Sequence, residues 1–268
     1  MASPPAPGDA SSFLDSLPAD LLDKTTLVSL ASTVAILATA YGLSLVALGP
    51  ASSSKSSAQV SCSQRFLFVW HAFDALIHFC LEGSFLYHCF YSWLPLAAVS
   101  NPLALAPTAH NYLGQPGRAY GPQAGGDDFF ARLWMVYAKA DRRWAGADLW
   151  NSRLTFSVIS LELLTVFVAG PLACLICYGI AKKDPRTNIL MIVVATMELY
   201  GGFITFCPEW LTANHNLDTS NFMYLWVYLV FFNMLWVFIP LYAIGAAVKD
   251  INDAFAVRAK ASVSKKSK

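Results

Sequence analysis

The chain has 268 residues, 56% of them hydrophobic and only 13% charged, with a mean hydropathy of +0.48; a soluble domain carries about a quarter charged residues. A formal net charge of +1 leaves no broad basic face to neutralise phosphates, which argues against a nucleic-acid partner. Several apolar runs of about 20 residues place the chain in the helical membrane class.

Residues 1–25 are rich in Pro, Ala, Ser and Asp and lack the basic segment of a cleavable signal peptide, so a disordered tail is expected. The uncharged run 26–48 reads as a first spanning helix and uncleaved anchor. A Ser-rich loop, 49–64, leads to a second apolar segment at about 66–92, which contains His71, Asp74, His78 and Glu82 and ends in the aromatics Tyr87, Phe90 and Tyr91. Residues 94–130 have the Pro, Gly and Ala content of a loop. The stretch 129–150 is too charged to span and is expected to lie at the membrane surface as a short amphipathic helix and turn.

A third helix at about 154–180 carries Glu162, a fourth at about 187–207 carries Glu198, and a fifth at about 222–247 carries Asn233. The pair Cys174 and Cys177 sits inside the third apolar run with no second pair to complete a metal set, so packing residues are expected and no metal. The expected fold is therefore all-α, a polytopic five-helix membrane bundle over 26–248, with a loop and interfacial segment at 94–153 and a basic tail at 249–268. Lys182, Lys183 and Arg186 between helices three and four, together with the basic tail, put the C-terminus in the cytosol by the positive-inside rule. The arginines of the loop between helices two and three pull the other way. The final KKSK resembles a dilysine retrieval signal of the endoplasmic reticulum, which also requires a cytosolic C-terminus.

His71, Asp74, His78 and Glu82 follow one another at helical spacings and share one face. Each ionisable group at the centre of a span costs on the order of 2.5–3.5 kcal/mol on insertion scales. That cost is recovered if the acids and histidines converge in one bundle interior, joined by Glu162, Thr165, Glu198 and Asn233. Such an interior can hold a proton on one acid while a neighbour stays ionised, and it can stabilise a cation. Each member also has a structural reading: His78 with Glu82 as a packing pair, Glu162 with Thr165 as a local hydrogen bond, Asn233 with Trp236 as interhelical glue, His71 as an interface residue. The chain has no G-x-S-x-G elbow, Walker loop or Rossmann fingerprint. It also lacks the repeated Glu-x-x-His of a di-iron site. A proton-coupled transporter fits less well, because there is no internal repeat or broken helix.

Five motifs occur in one order: IHFCLEG with His78 and Glu82; LWMVYAKADRRW with Trp134, Tyr137, Lys139 and Asp141; LELLTVFVAGP with Glu162, Thr165, Gly170 and Pro171; ELYG with Tyr200 and Gly201; FFNMLWVFIP with Asn233, Trp236 and Pro240. Together, across about residues 66–250, they resemble the emopamil-binding protein family of sterol Δ8–Δ7 isomerases, with its EXPERA-type membrane domain. The resemblance implies a five-helix protein of the endoplasmic-reticulum membrane with a pocket open to lipid. It implies cofactor-free migration of a ring double bond in a sterol: an acid protonates one alkene carbon, a tertiary carbocation forms, and a base removes another ring proton. It assigns His78, Glu82, Glu162 and Asn233 to the chemistry and Thr165 and Trp236 to the ligand; Tyr137, Glu198 and Asp74 are further substrate-side candidates. His78 and Glu162 are the expected proton-transfer groups and Trp236 the expected cation contact. It also implies cationic amine drugs as inhibitors; contact with membrane lipid and a homodimer are further expectations. The chain departs from the family pattern at Val136, where Glu is usual, Ala140 for Gly, and Glu198 for Gln. His71 and Asp74 lie outside the motif, and the 94–128 loop is longer. These departures keep open a divergent isomerase or cyclase acting on another isoprenoid or polyketide, or a non-catalytic sterol- or amine-binding protein.

Overall fold

A computed structural model of the chain describes residues 24–49, 60–95, 112–115, 117–146 and 152–266. The expected N-terminal tail up to residue 23, most of the Ser-rich loop, the loop at 96–111 and the last two residues lie outside the described residues. Helix α1 is Lys24–Leu48 and α2 is Cys62–Tyr91. A short antiparallel ribbon pairs β1, Trp93–Pro95, with β2, Arg118–Tyr120. Helix α3 is Phe129–Ala140. Helix α4 runs from Ser152–Leu164 into Gly170–Lys182, α5 is Thr187–Leu211, and α6 begins at Met223 and continues through Phe232–Lys266. Five of these helices are long and apolar enough to cross a membrane, so the all-α polytopic architecture stands.

The bundle is apolar outside and polar at its heart. Val34, Phe167, Ile189 and Phe238 are exposed on its surface, whereas His71, Asp74, His78, Glu162 and Glu198 are buried. That inversion suits lipid as the outer solvent, where the bundle interior is where polar groups find partners. Helix α2 begins with a capping box, Ser61 receiving the Gln64 amide and the Gln64 side chain receiving that of Ser61. Arg65 then ties α2 to the end of α1 through the carbonyls of Ser44 and Gly49 (3.2 and 2.6 Å).

Three spanning helices leave the α-helical repeat at one level each. A π-helical segment occupies Ile77–Glu82 in α2, closed by the Gly83 amide on the His78 carbonyl. Another occupies Thr165–Ala169 in α4, closed by Gly170 on Thr165, and a third Met223–Phe231 at the start of α6. Such segments in helices occur frequently at functional sites. The first two pack against each other. Gly170 permits the approach: a Cβ there would stand 3.0 Å from the Phe79 ring and 3.4 Å from His78 Cβ.

The segment expected at the membrane surface is an amphipathic helix, α3, with Leu133, Trp134, Val136, Ala138 and Ala140 buried against the bundle. Asp128 caps its N-terminus, accepting from the amides of Phe130 and Ala131 (2.9 and 3.0 Å), and also contacts His88 Nε2 at 3.0 Å. The Ala131 amide, with help from His88, holds the Asp128 carboxyl below its ordinary range. Gly121, before α3, and Gly146, after it, cross backbone to backbone at φ +133° and +128°; a Cβ on Gly121 would lie 2.2 Å from Gly146 Cα.

A buried ionic knot fastens this end of the molecule. Arg143 grips Asp141 with Nε and Nη2 (2.8 and 2.6 Å) and donates to the Thr205 carbonyl of α5 (2.6 Å). It also stands 3.4 Å from Glu209, which in turn accepts from the Asn216 backbone and side chain (3.0 and 2.8 Å). All four side chains are essentially inaccessible to solvent. Burial pushes the Asp141 carboxyl up from its ordinary value, with the Arg143 contacts opposing. At the other end α6 runs on to Lys266, so the basic tail is helical through residue 266; its Ala- and Lys-rich sequence has good helix propensity.

Candidate functional site

The polar stripe of α2 faces inward along its whole length. His71 and Asp74 are fully buried, His78 is 2% exposed and Glu82 13%. His71, expected at the interface, is instead in the interior, because α2 is covered on that face by α4 and α6. Its ring nitrogens have no hydrogen-bond partner among the described residues.

His78 sits between two carboxylates. Its Nδ1 is 2.6 Å from Glu82 Oε2 and its Nε2 is 3.2 Å from Asp74 Oδ1. From α4, the Thr165 hydroxyl reaches Glu82 Oε2 at 2.5 Å and Glu162 Oε2 at 2.8 Å. A hydroxyl has one proton to donate, so both contacts are hydrogen bonds only when one of the two acids carries a proton and donates it to Thr165. The π segments make this convergence: His78 and Glu82 lie on one, Thr165 opens the other, and Glu162 precedes it by one turn.

The other predicted residues come from α3, α5 and α6. Trp236 donates from Nε1 to Asp74 Oδ1 at 2.8 Å and packs edge-on against Trp70 (centroids 5.3 Å). Asn233 follows the π segment of α6 and donates its amide to the carbonyls of Tyr228 (3.0 Å) and Leu229 (2.9 Å) and to the Tyr137 hydroxyl (3.3 Å). Burial pushes the Tyr137 phenol well above its ordinary range, and the nearby Asp141 carboxylate adds to this, so it is a neutral hydroxyl. Trp134, carried in the same motif, donates to the Leu81 carbonyl (3.2 Å) and Ser84 (3.0 Å), and stacks on Trp144 at 4.8 Å. That contact anchors α3 over α2.

These groups surround a cavity of about 910 Å³ whose walls include His78, Glu82, Tyr137, Glu162, Thr165, Glu198, Asn233 and Trp236. The rest of the lining is mostly apolar, from α5 and α6. The volume is at the upper end of ordinary small-ligand sites, about 300–1,000 Å³. Asp74 stands behind the wall. Asp74, His78 and Glu198 each offer a donor atom within 4.8 Å of the others, the described set best placed to hold a metal ion. Asp74 Oδ1 accepts from Trp236 and His78 Nδ1 faces Glu82, whereas Asp74 Oδ2, His78 Nε2 and both Glu198 oxygens have no hydrogen-bond partner among the described residues. Two functional features escape sequence reasoning. The π segments carry no signature in a 3.6-residue pattern, and the Arg143 knot joins residues that lie far apart in the chain.

An apolar cavity between helices long enough to span a membrane is walled on one side by a connected series of acids, a hydroxyl and an imidazole, groups able to exchange protons beside an apolar ligand. Comparison with known proteins shows what the chain is similar to. Residues 129–246 match the model of the EXPERA (EXPanded EBP) superfamily. A probable 3-beta-hydroxysteroid-Delta(8),Delta(7)-isomerase of Oryza sativa subsp. japonica is 27% identical over 76% of this chain and 75% of that protein. The 3-beta-hydroxysteroid-Delta(8),Delta(7)-isomerase of Cavia porcellus is 25% identical over 77% and 74%. An isomeliandiol synthase of Melia azedarach is 33% identical over 47% of this chain and 54% of that protein.

Proposed function

We propose that the chain is a sterol Δ8–Δ7 isomerase of lipid metabolism in the endoplasmic-reticulum membrane, with its C-terminus in the cytosol. The observation that carries the reading is the connected set Glu162–Thr165–Glu82–His78 on the wall of a cavity large enough for a polycyclic lipid. In the reaction, the alkene π bond takes a proton from a protonated acid of this set, leaving a tertiary carbocation on the neighbouring carbon. A C–H bond next to the cation then breaks, its electrons become the new double bond, and the proton passes to a base. Glu162 and His78 are the proton-transfer groups; Glu82 and Asn233 orient them and balance charge. The Trp236 face and the carboxylates lower the energy of the cation, and a cationic amine that mimics it should inhibit.

The test is expression in a yeast lacking its own isomerase, followed by sterol profiling. Conversion of Δ8 to Δ7 sterol is expected; unchanged Δ8 sterol with folded protein present overturns the reading. The similarity to an isomeliandiol synthase favours a second reading, in which the same acids act on another isoprenoid. That reading predicts untouched sterols and consumption of the other substrate in the same strain.

A further inference from the structure

The series of polar groups does not end at His78. On the far side of the imidazole, Asp74 Oδ1 accepts from Trp236 and lies 3.2 Å from His78 Nε2, but neither that nitrogen nor Asp74 Oδ2 has a hydrogen-bond partner among the described residues. Glu198, from α5, lies against it, within the 4.8 Å span that holds Asp74, His78 and Glu198 together. Glu198 is 8% exposed, lines the cavity, and has no donor to either carboxylate oxygen among the described residues. Two buried carboxyl groups so placed satisfy each other when they share one proton, and otherwise repel at short range in a low dielectric. Asp74 is fully buried and does not line the cavity. Its place is between His78, on one wall, and Glu198, on another.

We propose that Glu198 and Asp74 form a second proton-exchange pole, so that Glu162, Thr165, Glu82, His78, Asp74 and Glu198 act as one relay. The relay carries the proton released by one carbon of the ligand back to the acid that protonates another. The inference rests on the isomerase reading for its substrate. The step balances without a co-reactant. One end loses a proton to the alkene and becomes a carboxylate, the other end gains the proton of the broken C–H bond, and transfers along the relay restore the starting state. The ligand is a lipid whose protonated and deprotonated carbons face α4 and α5 respectively, or the reverse.

The experiment uses full-length protein purified in detergent, with a Δ8 sterol in D₂O and mass analysis of the product. Wild type should return part of the abstracted proton and yield a product with less than one deuterium per molecule. Glu198→Gln and Asp74→Asn should raise the content to one deuterium, and lower kcat about tenfold or more with KM within about twofold, because they cut proton transfer and not binding. Equal deuterium content in wild type and both variants overturns the relay. So does about one equivalent of bound divalent metal that is lost in Asp74→Asn. If wild type leaves the Δ8 sterol unchanged, the isomerase reading falls separately, and infrared spectroscopy decides the pole. A protonated-carboxyl C=O band present in wild type and absent in Glu198→Gln supports it, and a band unchanged in both variants overturns it.

Discussion

Glu162→Gln isolates proton chemistry from structure. The amide has the volume of the acid and can still hydrogen-bond Thr165 Oγ1, now 2.8 Å from Glu162 Oε2, so packing between α2 and α4 should be preserved. What disappears is a group able to give or take a proton on the cavity wall. A positioned acid or base contributes about 10²–10⁴-fold, or about 3–5 kcal/mol of barrier, and the loss should fall on kcat. Thr165→Val is the comparator. It keeps both carboxyls but deletes the hydroxyl that touches Glu82 at 2.5 Å and Glu162 at 2.8 Å. A lost hydrogen bond to a charged buried group costs about 1.5–3 kcal/mol, so activity should fall about tenfold to a hundredfold, less than for Glu162→Gln. The assay is conversion of Δ8 sterol by membranes, normalised to monodisperse protein in detergent. Full activity in both Glu162→Gln and His78→Ala would refute the assignment of proton transfer to this set.

Asp141→Ala removes the bidentate partner of buried Arg143 and should cost about 3–5 kcal/mol, as for other broken buried pairs. The value should lie at the lower end because Glu209 and the Thr205 carbonyl remain; an unchanged thermal midpoint in detergent would contradict it. Gly121→Ala must place a Cβ 2.2 Å from Gly146 Cα at φ +133°, whereas at Gly126, φ +58°, a Cβ meets nothing within 4 Å. The first should lose folded protein and the second cost only about 1–2 kcal/mol, read from expression and thermal midpoint; equal losses would refute the close crossing. Asp128 has a folded-state pKa below its ordinary 3.8, so its stabilisation is present above that pH and is lost as pH falls through the lower folded value. Hydrogen-exchange protection of the Phe130 and Ala131 amides should decline in that acid range and not at neutral pH, and the dependence should vanish in Asp128→Asn.

The five spans were legible because bilayer thickness imposes length and hydropathy on sequence. α1 and α5 start within two residues of the expected positions, whereas α5 and α6 run further than expected. The stripe of α2 was legible because a buried charge without a partner is costly, so its direction could be predicted without a structure. Its partners were less so. Asp74 bonds the Trp236 indole, and no spacing along α2 announces a residue 162 positions away. Nor could the knot be read: Asp141 and Arg143 lie in the stretch expected as a short surface helix and turn, and only the fold brings Glu209 and Asn216 to them.

The π segments explain why helical spacing succeeded for the face and failed for the contacts. A regular α4 would close Ala169 and Gly170 onto the carbonyls of the preceding turn, but here the Gly170 amide reaches back five residues to Thr165. That widening occurs at the residue that bridges Glu82 and Glu162. The same five-residue closure occurs in α2 at His78 and in α6 just before Asn233. Each irregularity weakens its own helix, and each falls where a side chain must reach across to another helix. Local order is given up at these three places, and the groups brought together there are the ones that can move a proton through an otherwise apolar interior.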